Sequence, residues 1–213
     1  NKDDWYYKFW GGGMFAHTTF KILPPERDEN GLLIHKEWYN KEENQLCLTN
    51  EEMTKRFIDN LEKHIAKHAD SPYFSIGIED NSSFCNCEKC KASHDKYGGA
   101  SGTYIRFVNR VAHEIDVWQK KELPNSRFKL VVFAYLWTKN PPVRYEGGKY
   151  LPYCDEMVFP DNVVIFNAPI DACGYHRLDE KCNKNVLDRF EKWQVYTKYS
   201  FVWDYHAYYD NVL

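Results

Sequence analysis

The chain has 213 residues, of which 43% are hydrophobic and 28% charged, with a formal net charge of -3. That length allows one sizeable core, and the weak negative balance gives no broad pull toward nucleic acid or anionic lipid. No apolar run reaches the roughly 18 residues of a membrane-spanning helix. Aromatic residues make up 17% of the chain, a composition suited both to filling cores and to covering the C–H faces of sugars. The opening stretch NKDDWYYKFW has neither an initiating Met nor the pattern of a signal peptide, so a processed protein or an excised piece is expected.

In chain order, a strand near WYYKFW is plausible, and the first clear helix is TNEEMTKRFIDNLEKHIAKH. Thr49 and Glu52 fit a capping box there, and Met53, Phe57, Leu61 and Ile65 form its apolar stripe. The run YFSIGIE predicts a buried strand, and SGTYIRFVNRVAHEIDVWQKK a second helix striped by Ile105, Val108, Val111, Ala112, Ile115 and Trp118. FKLVVFAYLW and NVVIFNAPI read as further strands, separated by the loop KNPPVRYEGGKYLP. NKNVLDRFEKWQVYTK predicts a third helix capped by Asn183 and packed through Val186, Leu187, Phe190 and Trp193, and YSFVWDY a last strand.

Near-continuous apolar strands alternating with helices point to βαβ units and a parallel sheet. No Gly-rich phosphate fingerprint follows any strand, and long loops after strands favour an α/β fold of the (β/α)8 TIM-barrel type. A full barrel takes roughly 250 residues, so only part of one is expected in this single domain, residues 1–213.

Barrel chemistry sits where strands end. Alternation along YFSIGIED aims Ser75, Gly77 and Glu79 at the barrel interior, with Asp80 next. The same rule groups Asn167 with Asp171, and Ser200 and Val202 with Asp204. Converging carboxylates are what glycoside hydrolysis requires, although an acid after a strand more often caps the next helix or turn. Glu79 or Asp80 is the candidate general acid, Asp171 the acid next in line, and Asp204 a second carboxylate. Tyr135, Trp137 and Trp203 are candidate stacking walls; His17, His176 and Asn167 are candidate contacts to sugar hydroxyls. Neither a Gly-x-Ser-x-Gly elbow nor a His-Glu-x-x-His motif is present, so acyl-transfer and zincin chemistry are disfavoured.

Seven cysteines is an odd number. Cys87 and Cys90 have the spacing of a zinc half-site, and Cys85 adds a third thiol. A fourth ligand is sought among Cys173, Cys182, His176 and His94; disulfides are the equal alternative. The motif reads as a polar loop rather than a helix N-terminus, which disfavours a redox role. In either case the cluster braces the loop after Glu79 and Asp80, and a zinc here is structural rather than catalytic.

The segments HTTFKILPP, HKEWY, QLCLTN, IEDNSSFCNCEKCKA, SGTYIRFVNRVA, IDACGYHRL and FVWDY occur in that order. Together they resemble a family of exported bacterial TIM-barrel, hydrolase-like proteins long catalogued as a domain of unknown function and related to glycoside hydrolase family 163. The resemblance runs from about His17 to Tyr205. It implies a substrate-assisted, retaining endo-β-N-acetylglucosaminidase acting on N-glycans. It also implies a periplasmic, cell-surface or secreted location, with no cofactor needed for catalysis. The family pattern has an amide where Glu79 stands and acids at Asp80 and Asp171, so Asp80 matches it better than Glu79. A glycan-binding or scaffold module on a decayed barrel is the alternative.

Overall fold

The structure is a computed structural model that describes residues 4–203. Four parallel strands form one sheet: β1 (Tyr73–Ser75), β2 (Lys129–Ala134), β5 (Val163–Asn167) and β6 (Ser200–Val202), side by side in that order. These are the cores of the four apolar runs. Six helices accompany them: α1 (Trp5–Phe9), α2 (Thr19–Ile22), α3 (Glu51–Lys67), α4 (Glu88–Tyr97), α5 (Ala100–Glu122) and α6 (Lys184–Gln194). Spatial order follows chain order, so the sheet has no point at which the winding reverses.

The two faces of the sheet differ. Phe74, Leu130, Val132, Val163 and Ile165 point to one face, where Phe57 and Leu61 of α3, Ile105 and Val108 of α5, and Trp193 of α6 bury against them. Val131, Phe133, Val164 and Phe166 point to the other, against Trp10, Phe15 and Trp203. Register explains the aromatic character of this second face, because Phe133, Phe166 and Phe201 are successive partners across β2, β5 and β6. Their rings lie 5.4 Å and 5.7 Å apart, within range of favourable aromatic contact.

Several local details depart from the sequence expectations. WYYKF is helix α1 rather than a strand; only Trp10 and His17 form isolated parallel bridges, to Tyr73 and Gly77. Helix α3 is capped by Asn50, which accepts from the Met53 N–H, because the Thr49 hydroxyl is engaged with the Cys90 thiol 3.1 Å away. The loop after β2 contains a hairpin, β3 (Val143–Glu146) and β4 (Lys149–Pro152), turned by Gly147 and Gly148, both at positive φ. Cys87 caps α4, so the cysteine motif does open a helix.

Helix α5 explains the SGTYIRFVN motif in structural terms. Ser101 donates to the Asn140 carbonyl and Arg106 to the Glu156 carbonyl. The buried Asn109 amide donates to both Glu156 and Val158. One helix thereby pins the ends of the long loop between β2 and β5, which would otherwise bury unpaired carbonyls.

Candidate functional site

Five chain segments meet at the C-terminal ends of the strands and enclose an open cleft of about 740 Å³, solvent-continuous space included. His17 comes from the N-terminal segment, Asp80 follows β1, Tyr135 follows β2, Ile170 follows β5 and Trp203 follows β6; Ala16, Phe133 and Ala168 complete the wall. Among the described residues three non-glycine residues have positive φ, and two of them, Ala16 and Leu136, lie in the segments that form this cleft. Such backbone costs on the order of 1 kcal/mol or more and persists only where neighbours hold it.

The N-terminal segment is held against β1 by a dense set of bonds. Thr18 donates to the Ser75 carbonyl at 2.7 Å and accepts from the Gly77 N–H at 3.1 Å, while Ser75 donates to the Ala16 carbonyl at 3.0 Å. Gly77 is required by close approach, since a Cβ there would lie 2.1 Å from the Ala16 carbonyl oxygen. Gly77→Ala is therefore expected to displace Ala16 and His17. It should cost about 1–3 kcal/mol, as overpacking does. Urea unfolding checks the cost, and loss of ligand binding in the cleft checks the displacement.

His17 Nδ1 lies 2.6 Å from the Ile78 carbonyl oxygen. A carbonyl only accepts, so the proton sits on Nδ1 and Nε2 is left facing Asp80 Oδ1 at 3.8 Å. Tyr135 donates to Asp80 from the other side; burial first, then the Asp80 charge, pushes the phenol pKa up. Asp80 itself is 64% exposed and opens into the cleft.

The other predicted acids are engaged elsewhere. Glu79 Oε1 accepts from the Thr19 hydroxyl at 2.7 Å and the Phe20 N–H at 2.8 Å, holding the first turn of α2. Asp171 receives both guanidinium arms of Arg189, at 2.7 Å and 2.6 Å, with Lys139 at 3.4 Å. The Arg189 hydrogen bonds hold its carboxyl well below the usual range, at about 2. Asp171 is therefore ionised throughout the neutral range. Asp204 lies outside the described residues.

A depressed carboxyl pKa stabilises the fold above the unfolded value, near pH 4, and that contribution is lost as pH falls toward 2. At 46% exposure solvent screens the pair, so the effect is about 1 kcal/mol or less. Asp171→Asn should flatten the acid limb of the stability–pH curve, measured by denaturant midpoints between pH 2 and 5.

Of the aromatic candidates, Tyr135 and Trp203 line the cleft, with Trp203 stacked on Phe15 at 5.1 Å. Trp137 instead packs beside Phe84 and Tyr104, over the cysteine cluster. Asn167 is buried and donates to the Ser200 hydroxyl at 2.7 Å, joining β5 to β6. His176 is exposed, with Nδ1 3.2 Å from Cys173 Sγ.

The fourth thiol beside Cys85, Cys87 and Cys90 is Cys47, rather than any of the four residues considered from sequence. All four sulfurs lie within 4.8 Å of one another, and Cys47 is 3.7 Å from both Cys87 and Cys90. Hydrogen bonds from the Cys85 and Cys90 thiols hold the Cys47 thiol far below its ordinary value. Those same contacts with Cys47 push Cys85 and Cys90 upward. Two residues upstream of Cys47, the buried Gln45 side chain donates to the Glu79 carbonyl at 2.9 Å and to Asn81 at 3.1 Å. The segment that brings Cys47 to the cluster also clamps the loop carrying Asp80. Gln45 and Cys47 lie in QLCLTN, a segment of the family resemblance, but an isolated Gln and an isolated Cys carry no ligand spacing.

A family model described as a domain of unknown function, DUF4838, matches residues 3–213. The chain belongs to the DUF4838 family. No curated protein and no solved structure matches it. The match covers every element described above, so the cleft and the thiol cluster both lie within the family's domain. Among the described residues no helix is long and apolar enough to cross a membrane.

Proposed function

We propose that this DUF4838 domain is a glycoside hydrolase acting on glycans that contain N-acetylglucosamine, with Asp80 as the general acid. The observation that carries this reading is Asp80 standing between Tyr135 and His17 at the mouth of an aromatic-walled cleft. An acid at such a mouth reaches a glycosidic oxygen, while Tyr135 and Trp203 offer flat faces to a pyranose. His17, fixed by its bond to the Ile78 carbonyl, stands beside Asp80 and limits where the carboxyl can turn. Asp80 is the one carboxylate among the described lining residues. That favours attack by the substrate's own acetamido oxygen over attack by a second protein carboxylate.

A (β/α)8-type barrel, present in part, is the fold that best suits this reading. Monotonic strand order and the packing of the long helices α3, α5 and α6 on one face support it, because a doubly wound sheet carries its crossover helices on both faces and reverses its winding. The aromatic face would then be the barrel interior. An exported location is part of the same proposal.

A structural zinc on Cys47, Cys85, Cys87 and Cys90 completes it. Zinc–sulfur bonds of about 2.3 Å place tetrahedral sulfurs about 3.8 Å apart, close to the spacings seen here. When bound, the metal supplies charge neutralisation to the thiolates and holds the loop after β1 to the segment around Cys47.

That Asp80 is the one acid among the described lining residues also favours a second reading, a module that binds glycans without cleaving them. Incubating the protein with an N-glycosylated protein and with an aryl N-acetylglucosaminide separates the two. Released glycan or aryl alcohol supports the enzyme. Saturable quenching of tryptophan fluorescence by chitooligosaccharide, with no turnover of either substrate, supports the module.

A further inference from the structure

The loop between β5 and α6 carries a second group of metal-type donors that shares no residue with the four-thiol cluster. Cys173 Sγ, a ring nitrogen of His176 and Cys182 Sγ lie within 4.8 Å of one another, and Cys173 Sγ is 3.2 Å from His176 Nδ1. A sulfur and a nitrogen on one tetrahedral zinc are about 3.5 Å apart, given bonds of about 2.3 Å and 2.0 Å.

This convergence is templated. Asn183 is completely buried, and its side chain accepts from the Cys173 N–H at 2.7 Å. Its amide nitrogen donates to the carbonyls of Cys173, His176 and Arg177 at 3.0, 3.0 and 3.1 Å. One side chain therefore fixes the backbone of two of the three donors, and the third, Cys182, is its immediate chain neighbour. Asn183 forgoes the usual N-cap bond to do so, making no side-chain bond to the start of α6. Asp171, gripped by Arg189, anchors the other end of the loop.

We propose that Cys173, His176 and Cys182 form a second metal site, for a borderline-soft divalent cation such as zinc. Two thiolates and an imidazole are the donor set zinc prefers, and the exposure of His176 and Cys182 leaves the fourth position open to solvent or to an added ligand. The site would be weaker and more exchangeable than the buried four-thiol cluster. Its loop begins at Ile170, a residue of the cleft wall, so a bound ion would stiffen one rim of the cleft. This inference does not depend on the glycosidase reading.

The test is zinc stoichiometry of the reduced protein, titrated against a chromophoric chelator, in wild type and Cys182→Ser. The substituted side chain is exposed, so the variant should fold. The expected result is one zinc equivalent per chain lost in Cys182→Ser, whatever the four-thiol cluster binds. Asn183→Asp, which loses the amide donors, should weaken the same equivalent by about 10–100-fold. Zinc should also slow tryptic cleavage after the exposed Arg177 in wild type and not in Cys182→Ser. Equal stoichiometry in wild type and Cys182→Ser would overturn the proposal. So would a Cys173–Cys182 disulfide in peptide maps of protein purified without reductant.

Discussion

Asp80→Asn is expected to lower the rate of the proposed glycan cleavage by about 10²–10⁴-fold, the range for loss of a general acid. The fall depends on the leaving group. A sugar alkoxide cannot depart unprotonated, so the full loss appears on a natural glycan. An activated aryl oxide departs with little help, so the loss on an aryl N-acetylglucosaminide is smaller by a factor of ten or more. A substitution that merely disturbed the cleft would slow both substrates alike. Asp80 is mostly exposed and its neighbours are held by their own bonds, His17 to Ile78 and Thr18 to Ser75, so the variant should keep its fold. Equal losses on the two substrates would remove Asp80 from the acid's role.

If the four thiols hold zinc as proposed, Cys47→Ser, or stripping with a strong chelator, is expected to produce the largest change in stability. Structural zinc sites contribute about 10–16 kcal/mol of binding energy to the folded state, comparable to the whole margin of about 5–15 kcal/mol of a domain. The first region to open is expected to be the junction of the Gln45–Cys47 segment with the loop after β1, because Gln45 holds Glu79 and Asn81 there. Hydrogen exchange should show faster exchange around residues 79–90 well before the core of α5. Activity should fall with it, since Asp80 lies on the freed loop. Unchanged melting and exchange in metal-stripped, reduced protein would show that the thiols pack without a metal.

The parallel sheet was legible because its strands are buried on both faces and so read as unbroken apolar runs. FKLVVFAYLW and NVVIFNAPI contain β2 and β5 with little ambiguity. The long helices were legible for the complementary reason, a stripe every three or four residues. Helix α4 was not, because only Cys90 of its ten residues is buried and a helix without an apolar stripe leaves no periodicity to read. The hairpin was marked by Gly147–Gly148 and passed over among the prolines before it.

The acid that lines the cleft stands one residue from the position that strand alternation aims inward. Period-two reasoning aimed Glu79 at the interior, and the buried small residues Ser75 and Gly77 do face the N-terminal segment. Regular strand ends at Ser75, however. Beyond it the direction of each side chain is set by local bonds: Thr19 and Phe20 claim Glu79, and Asp80 takes the cleft. The ion pair of Asp171 could not be read because Arg189 comes from a helix eighteen positions later, a charged residue set between Val186 and Trp193 on the buried face of α6. Pairings between distant segments, Cys47 with Cys90 as much as Asp171 with Arg189, leave no trace in local sequence.

The most direct test compares Glu79→Gln with Asp80→Asn in release of glycan from an N-glycosylated protein, each at a temperature where both variants are fully folded by circular dichroism. The account predicts that Asp80→Asn abolishes nearly all release. Glu79→Gln, which keeps an acceptor oxygen for Thr19 and Phe20, should retain most of it and lose stability instead. Release that survives in Asp80→Asn and disappears in Glu79→Gln would contradict it.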